Sequence, residues 1–214
     1  MKKLINILVN ISCKLYQTIQ YWVIDILIRL RASKRPLQVI LGAGGDSQPG
    51  WLATDISHLD MLSDQDWRKY FKESSIDALF AEHVWEHLDE ADGVTAAKNC
   101  YSYLRPGGYI RIAVPDGFHP SSEYLDFVKP MGSGLGSEDH MVLFTYVSLT
   151  KIFETVGFTV ELLEYFDESG KFHHKNWNSE AGLVTRSKEH DERNKDGNMN
   201  YTSIILDCWK KVEL

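Results

Sequence analysis

The stretch LQVILGAGGDSQPGWLATD, Leu37 to Asp55, constrains this chain more than any other. Leu37, Val39, Ile40 and Leu41 make an apolar run broken only by Gln38, and Gly42, Gly44 and Gly45 follow at once. That is the pattern of a buried parallel strand ending in a tight turn. Glycine in such a turn lets the backbone approach a ligand closely. Thirteen positions after Gly42, Asp55 closes a second apolar run, Trp51, Leu52 and Ala53. A carboxylate at the C-terminal end of a strand can accept both hydroxyls of a ribose.

Two related glycine signatures fit less well. A dinucleotide fingerprint wants a third glycine where Ser47 stands, and a phosphate loop wants lysine and serine or threonine where Trp51 and Leu52 stand. What remains is a turn for a cofactor that has a ribose and no phosphate, which points to S-adenosylmethionine.

The remainder reads as an α/β chain. Residues 1–35 form an amphipathic helical extension, with Leu4, Leu8, Ile11, Leu15, Ile19, Trp22, Ile26 and Leu30 on one face, broken by Lys14, Gln17, Gln20 and Asp25. No run there reaches the roughly 18 apolar residues of a membrane span, and no small-residue cleavage site precedes Cys13. Residues 1–31 are thus expected to pack on the core, to contact a second copy, or to lie on a membrane surface, an option supported by the basic cluster Arg29, Arg31, Lys34 and Arg35. Residues 36–214 form the domain. Leu59 to Leu62 is a candidate strand, a short helix capped by Ser63 or Asp64 follows, and Ile76 to Ala81 is a further strand. A helix from Asp89 turns Ala91, Val94, Ala97, Tyr101 and Leu104 inward and stops at Arg105-Pro-Gly-Gly, before a strand at Tyr109 to Val114. This alternation gives a mostly parallel sheet with crossover helices. Residues 116–140 read as a loop or lid with a short helix at Tyr124 to Val128. Ser148 caps a helix ended by Gly157, and a strand runs from Phe158 to Tyr165. Residues 166–200 read as a hairpin and an exposed polar loop, ahead of a last strand at Tyr201 to Trp209. The net charge of −7 argues against a nucleic acid partner. Three widely spaced cysteines give no disulfide framework or metal knuckle and suit a reducing cytoplasm.

The segments LGAGG, TD, IDALFAEHVWEHL and YLRPGGYIRIAVPD, in that order, resemble class I S-adenosylmethionine-dependent methyltransferases over Leu37 to Asp116. They are most similar to small bacterial predicted methyltransferases often met among surface-polysaccharide genes. The resemblance implies a Rossmann-like seven-stranded sheet, mostly parallel with an antiparallel last strand and helices on both faces. By position, it places Leu41, Gly42, Ala43 and Gly44 under the methionine and ribose, Asp55 on the ribose hydroxyls and Ile56 beside the adenine. Asp60, Met61 and Leu62 would line the adenine, and Glu82 with His83 would sit beside the sulfonium. It also suggests a small-molecule or glycan acceptor, with a hydroxyl as the attacking group. The crossover between Gly42 and Asp55 is too short for a full helix, as in that small family.

His83-Val-Trp-Glu86-His87 also spells H-x-x-E-H, a zinc peptidase motif. It follows a strand directly and shows no evident third ligand, so no metal is expected. A hydroxyl nucleophile must lose a proton, and histidine is the natural base near neutral pH. The candidates are His83, His87, His119 and His140, with Asp116 as an alternative base or orienting partner. The contrasting reading is a cofactor-binding or scaffolding module without catalysis.

Overall fold

The computed structural model describes residues 18, 19 and 21–212. Leu4, Leu8, Ile11 and Leu15 of the expected N-terminal stripe lie outside them. One seven-stranded sheet has the order β2-β1-β3-β4-β7-β5-β6. Its strands are β1 (Gln38–Ile40), β2 (Leu52–Ala53), β3 (Ile76–Glu82), β4 (Leu104–Pro115), β5 (Thr159–Phe166), β6 (Phe172–His174) and β7 (Ser203–Trp209). β1 pairs in parallel with β2 and β3, and β3 with β4. β7 is antiparallel between β4 and β5, and β6 closes the expected hairpin on β5. From β1 the chain goes first to one side, to β2, and then to the other, to β3. The crevice beyond the C-terminal ends of β1 and β3 is therefore the topological switch point, where ligands bind in open α/β sheets.

Full helices layer one face: α2 (Asp64–Tyr70), α3 (Glu90–Tyr103) and α5 (Tyr146–Val156). Leu37, Val39, Leu79, Trp67, Trp85, Ile112 and Phe153 form the main core there. On the opposite face Ile40, Trp51, Phe80, Ala113, Leu163 and Ile205 form a second core, covered by Val184 and Trp177 from the chain after β6. The cover on that side carries a single-turn 3-10 helix, Ser179–Ala181, in place of a full helix, because the β1–β2 crossover is too short to supply one.

Several local expectations are corrected. Leu59 to Leu62 is not a strand; Leu59 and Met61 are buried in turns, and the seventh strand is β6. Ser63 does cap α2, accepting from the Asp66 amide. The inward face of α3 is Gly93, Ala96, Ala97, Cys100 and Tyr103, since the close-packed α3–α5 interface takes small residues. Thr145, not Ser148, caps α5, and Ser148 completes the capping box from the third helical position.

The loop read as exposed, within 166–200, is pinned across the second face by buried acids of the strands. Glu164 accepts from Trp177 Nε1 at 2.9 Å, the Lys188 amide at 2.8 Å and Thr202 Oγ1 at 2.9 Å. Arg111, on β4, holds Asp207 through two 2.8 Å bonds and donates to the Asn178 and Gly182 carbonyls, both at 2.8 Å. Ser187 and Asp191 are buried there, while residues 188–190 and 195–198 stay exposed, so the loop is tied down at points along a solvated path.

Residues 21–32 form helix α1, which docks by the side that interrupts its apolar stripe. Asp25 is buried and lies 2.6 Å from both Tyr70 Oη and Lys69 Nζ and 2.8 Å from Arg29 Nε. The Tyr21 ring stacks on His58 at 4.4 Å. Ile19, Trp22, Ile26 and Leu30 are all more than half exposed.

Candidate active site

The turn after β1 is held on both sides. Leu41 N–H donates to the Phe80 carbonyl at 2.8 Å, and Ala43 N–H to the Thr54 carbonyl at 2.9 Å. Gly42 and Gly44 have φ of +62° and +58°, the left-handed region that favours glycine. A Cβ on Gly42 would lie 2.7 Å from Val84 Cγ2, whereas one on Gly44 would meet nothing within 4 Å. Asp55 faces this turn: Oδ2 accepts from the Gly44 amide at 2.8 Å and Oδ1 from the Ile56 amide at 2.7 Å. These bonds fix the carboxylate's direction and leave each oxygen a further lone pair for a ligand hydroxyl.

A cavity of about 410 Å³ opens over the turn, within the size range of small-molecule sites. Leu41, Gly42, Gly44, Asp55, Ile56, Asp60, Met61, Leu62 and His83 line it, together with Leu59, Val84, His87 and Leu88. Two residues placed at the cofactor by resemblance lie elsewhere. Ala43 packs into the second core, and Glu82 turns to the 185–186 segment, accepting from Thr185 Oγ1 at 2.7 Å and the Arg186 amide at 2.8 Å. Both line a separate, smaller cleft on that side of the turn. Alternation along β3 is the physical reason: Glu82 projects to the face opposite Ala81, toward the covering segment.

His83 follows β3 directly at φ +55°, a rare conformation for a non-glycine residue. Its amide donates to the Ala113 carbonyl at 2.8 Å, and Nε2 lies 3.0 Å from Ser203 Oγ on β7. The chain then makes the 3-10 turn Trp85–His87, so His83 and His87 do not share the helical face a zinc peptidase motif requires. His83 also lines a second cavity, of about 300 Å³, with His140, Arg186, Arg193 and Tyr201. It is the wall common to the two.

Residues 116–140 are more closely packed than a loose lid. They contain α4 (Ser122–Val128) and a 3-10 turn at Ser137–Asp139. A Cβ on Gly132 or Gly134 would meet backbone oxygens at 2.5–2.9 Å, so these glycines serve close packing. Asp116 is fully buried, and its carboxylate accepts from the Phe118 amide at 2.9 Å and the Phe166 amide at 2.7 Å. Burial raises its pKa to about 6 despite those bonds. His119 is also buried, stacked on Tyr124 at 3.9 Å, and burial lowers its pKa to about 4. Its Nδ1 accepts from the Ser121 amide, and it lines a third cavity that does not include His83. The chain thus gathers His83, His87 and His140 at one place and sets Asp116 and His119 apart.

A family model described as a methyltransferase domain matches residues 11–163, well over half of the chain. The chain belongs to the methyltransferase-domain family. Its fold is the one that S-adenosylmethionine-dependent methyltransferases of known structure share. No curated protein matches the sequence. Among solved structures, a Thermotoga maritima S-adenosylmethionine-dependent methyltransferase, described as a possible histamine N-methyltransferase, is similar at 13% identity and TM-score 0.50, over 92% of this chain and 96% of that one. A methyltransferase from Archaeoglobus fulgidus is similar at 17% identity and TM-score 0.45, over 88% and 92%. The Haemonchus contortus phosphoethanolamine N-methyltransferase 2, in complex with S-adenosylhomocysteine, has 14% identity and TM-score 0.48 over 89% of this chain and 53% of that protein. At such identities the likeness is one of fold.

For this methyltransferase, sequence reasoning missed Val84, Leu59 and Leu88 as cavity walls. Val84 had a signal available: it follows directly on His83 at the end of a strand that neighbours the glycine turn. Arg193, whose guanidinium lies 3.3 Å from the centre of the Tyr201 ring, had none.

Proposed function

We propose that this methyltransferase transfers the methyl group to a hydroxyl of a small-molecule or glycan acceptor, binding cofactor in the 410 Å³ cavity and acceptor in the adjoining 300 Å³ cavity. The observation that carries the reading is His83, a side chain shared by both cavities at the end of β3. The cofactor fits the residues present: glycine at positive φ where its chain passes, and a fixed carboxylate at Asp55 for the ribose. S-adenosylmethionine supplies an electrophilic methyl on a sulfonium. Bound in the cofactor cavity, it would give its methyl to the acceptor oxygen and leave as a neutral thioether, while His83 would take the hydroxyl proton. Positioning the two partners about 3 Å apart supplies much of the rate. His83 is the candidate base, and Arg186 and Arg193, 3.6 Å from Glu82 and 2.6 Å from Asp191, line the acceptor cavity with Tyr201, a polar lining in keeping with a sugar acceptor and a role in surface-polysaccharide synthesis.

The exposed stripe on α1, with Lys34 and Arg35 at its end, is read as a docking surface for an anionic membrane, which would hold the enzyme near lipid-linked acceptors. Among the described residues no helix is long and apolar enough to cross a membrane.

The function is tested by incubating the protein with S-adenosylmethionine and a panel of sugar nucleotides, free sugars and amines, and measuring S-adenosylhomocysteine by mass spectrometry. Acceptor-dependent product with hydroxyl compounds, lost in His83→Ala, is the expected result. Turnover confined to amines would overturn the hydroxyl reading.

A further inference from the structure

Among the described residues Glu86 is the most poorly satisfied group. Its side chain is fully buried, and neither carboxylate oxygen has a hydrogen-bond partner among the described residues. His83 Nδ1 comes within 3.1 Å of Oε1 without the alignment of a hydrogen bond. A buried carboxylate left in this state is costly unless a positive charge compensates it. Two further ligand-type side chains converge on it. The backbone carbonyl of Glu86 accepts from the Met141 amide at 2.7 Å and the Val142 amide at 3.2 Å, which draws the end of the 116–140 segment onto the 3-10 turn. One potential ligand atom from each of Glu86, His87 and His140 then lies within 4.8 Å of the others.

The imidazoles are oriented as metal-binding histidines are. His140 Nδ1 lies 2.7 Å from the Val128 carbonyl oxygen, and His87 Nδ1 lies 3.3 Å from that of Asp139. A carbonyl can only accept, so Nδ1 carries the proton in each ring and Nε2 keeps its lone pair. A backbone carbonyl on the far nitrogen is the usual support of a metal-bound histidine. Ligands about 2.1 Å from a tetrahedral ion lie about 3.4 Å from one another, so binding needs the widest-spaced of the three groups to draw together by roughly 1.4 Å.

We propose that Glu86, His87 and His140 bind one divalent transition-metal ion at the junction of the two cavities. Two imidazoles and one carboxylate suit zinc, manganese or iron and leave coordination positions open. His87 lines the cofactor cavity and His140 the acceptor cavity. The ion therefore stands where an acceptor hydroxyl must present its oxygen to the methyl group, and as a Lewis acid it would hold that oxygen and ease loss of its proton. This role rests on the hydroxyl-transfer reading; the binding site does not. The sequence showed no third ligand because His140 is 53 residues from His87 and arrives only through the folded 116–140 segment.

The test uses the full chain, stripped with chelator and titrated with Zn²⁺ by calorimetry and with Co²⁺ by visible absorption. One ion per chain is expected, with binding weakened at least about tenfold in each of Glu86→Gln, His87→Ala and His140→Ala. His140→Ala is the decisive variant, because its position on a surface segment leaves the core intact, as circular dichroism would verify. Stoichiometric binding that is unchanged in His140→Ala, or no binding in the wild type, overturns the site. Metal binding with turnover confined to amines would retain the site and remove the hydroxyl reading, so the two fail separately.

Discussion

Gly42→Ala and Gly44→Ala should separate two reasons for glycine in one turn. Both residues sit at nearly the same positive φ, so alanine at either costs about 1–2 kcal/mol of backbone strain. Only at Gly42 does the new Cβ collide, at 2.7 Å from Val84 Cγ2, and overpacking of that kind adds about 1–3 kcal/mol. Gly42→Ala should therefore destabilise the protein by about 2–5 kcal/mol and Gly44→Ala by about 1–2 kcal/mol. Val84→Ala removes the collision partner at a cost of about 1 kcal/mol for a partly buried side chain. In the double variant Gly42→Ala/Val84→Ala, stability should exceed the sum of the singles by about 1–3 kcal/mol. Urea denaturation followed by tryptophan fluorescence gives all four free energies. S-adenosylhomocysteine calorimetry should show weakened binding for Gly44→Ala, because its methyl meets open space beside the cavity. Equal destabilisation by the two glycine variants, or additivity in the double, would refute the argument that Val84 enforces glycine at position 42.

Asp55→Asn keeps the shape but offers one acceptor where the Gly44 and Ile56 amides need two, and it removes the charge. S-adenosylhomocysteine should bind about 1.5–3 kcal/mol more weakly by calorimetry, and unchanged affinity with the fold intact would move the ribose site elsewhere. Two buried groups give opposing pH effects. His119, lowered to about 4 from 6.5, contributes stability that is full above pH 6.5 and lost as the pH falls toward 4. Asp116, raised to about 6 from 3.8, contributes stability that is full below pH 3.8 and lost as the pH rises through 6. His119→Phe leaves the second effect alone, so its thermal midpoint should fall from pH 4 to 6 more steeply than the wild type's; identical profiles would show that His119 titrates normally. Arg111→Met strands the buried Asp207 and frees the Asn178 and Gly182 carbonyls, at a cost of about 3–5 kcal/mol in urea denaturation, and adding Asp207→Leu should recover part of that. Trp22→Ser/Leu30→Ser should abolish co-sedimentation with phosphatidylserine-containing vesicles; a wild-type protein that ignores vesicles but forms a dimer dissociated by the same changes would assign the stripe to self-association.

How much was legible in the sequence follows from the range of the forces involved. The order of strands and helices, the glycine turn and Asp55 at the end of the next strand came from local pattern, because apolar periodicity and positive-φ glycines are set within a few residues. Nine of the eleven expected cofactor residues accordingly share one cavity. Ala43 and Glu82 line the neighbouring cleft, because which side of a turn or strand faces a given cavity depends on what covers the other side. The polar run after Trp177 was read as exposed because polarity was taken for exposure, while a partner such as Glu164, 24 residues from Lys188, ties its backbone to the strands. The convergence of His140 on Glu86 and His87, and the separation of His119 and Asp116 from them, were decided by tertiary structure alone. No local rule fixes how the 116–140 segment folds back; backbone bonds from Met141 and Val142 to the Glu86 carbonyl do.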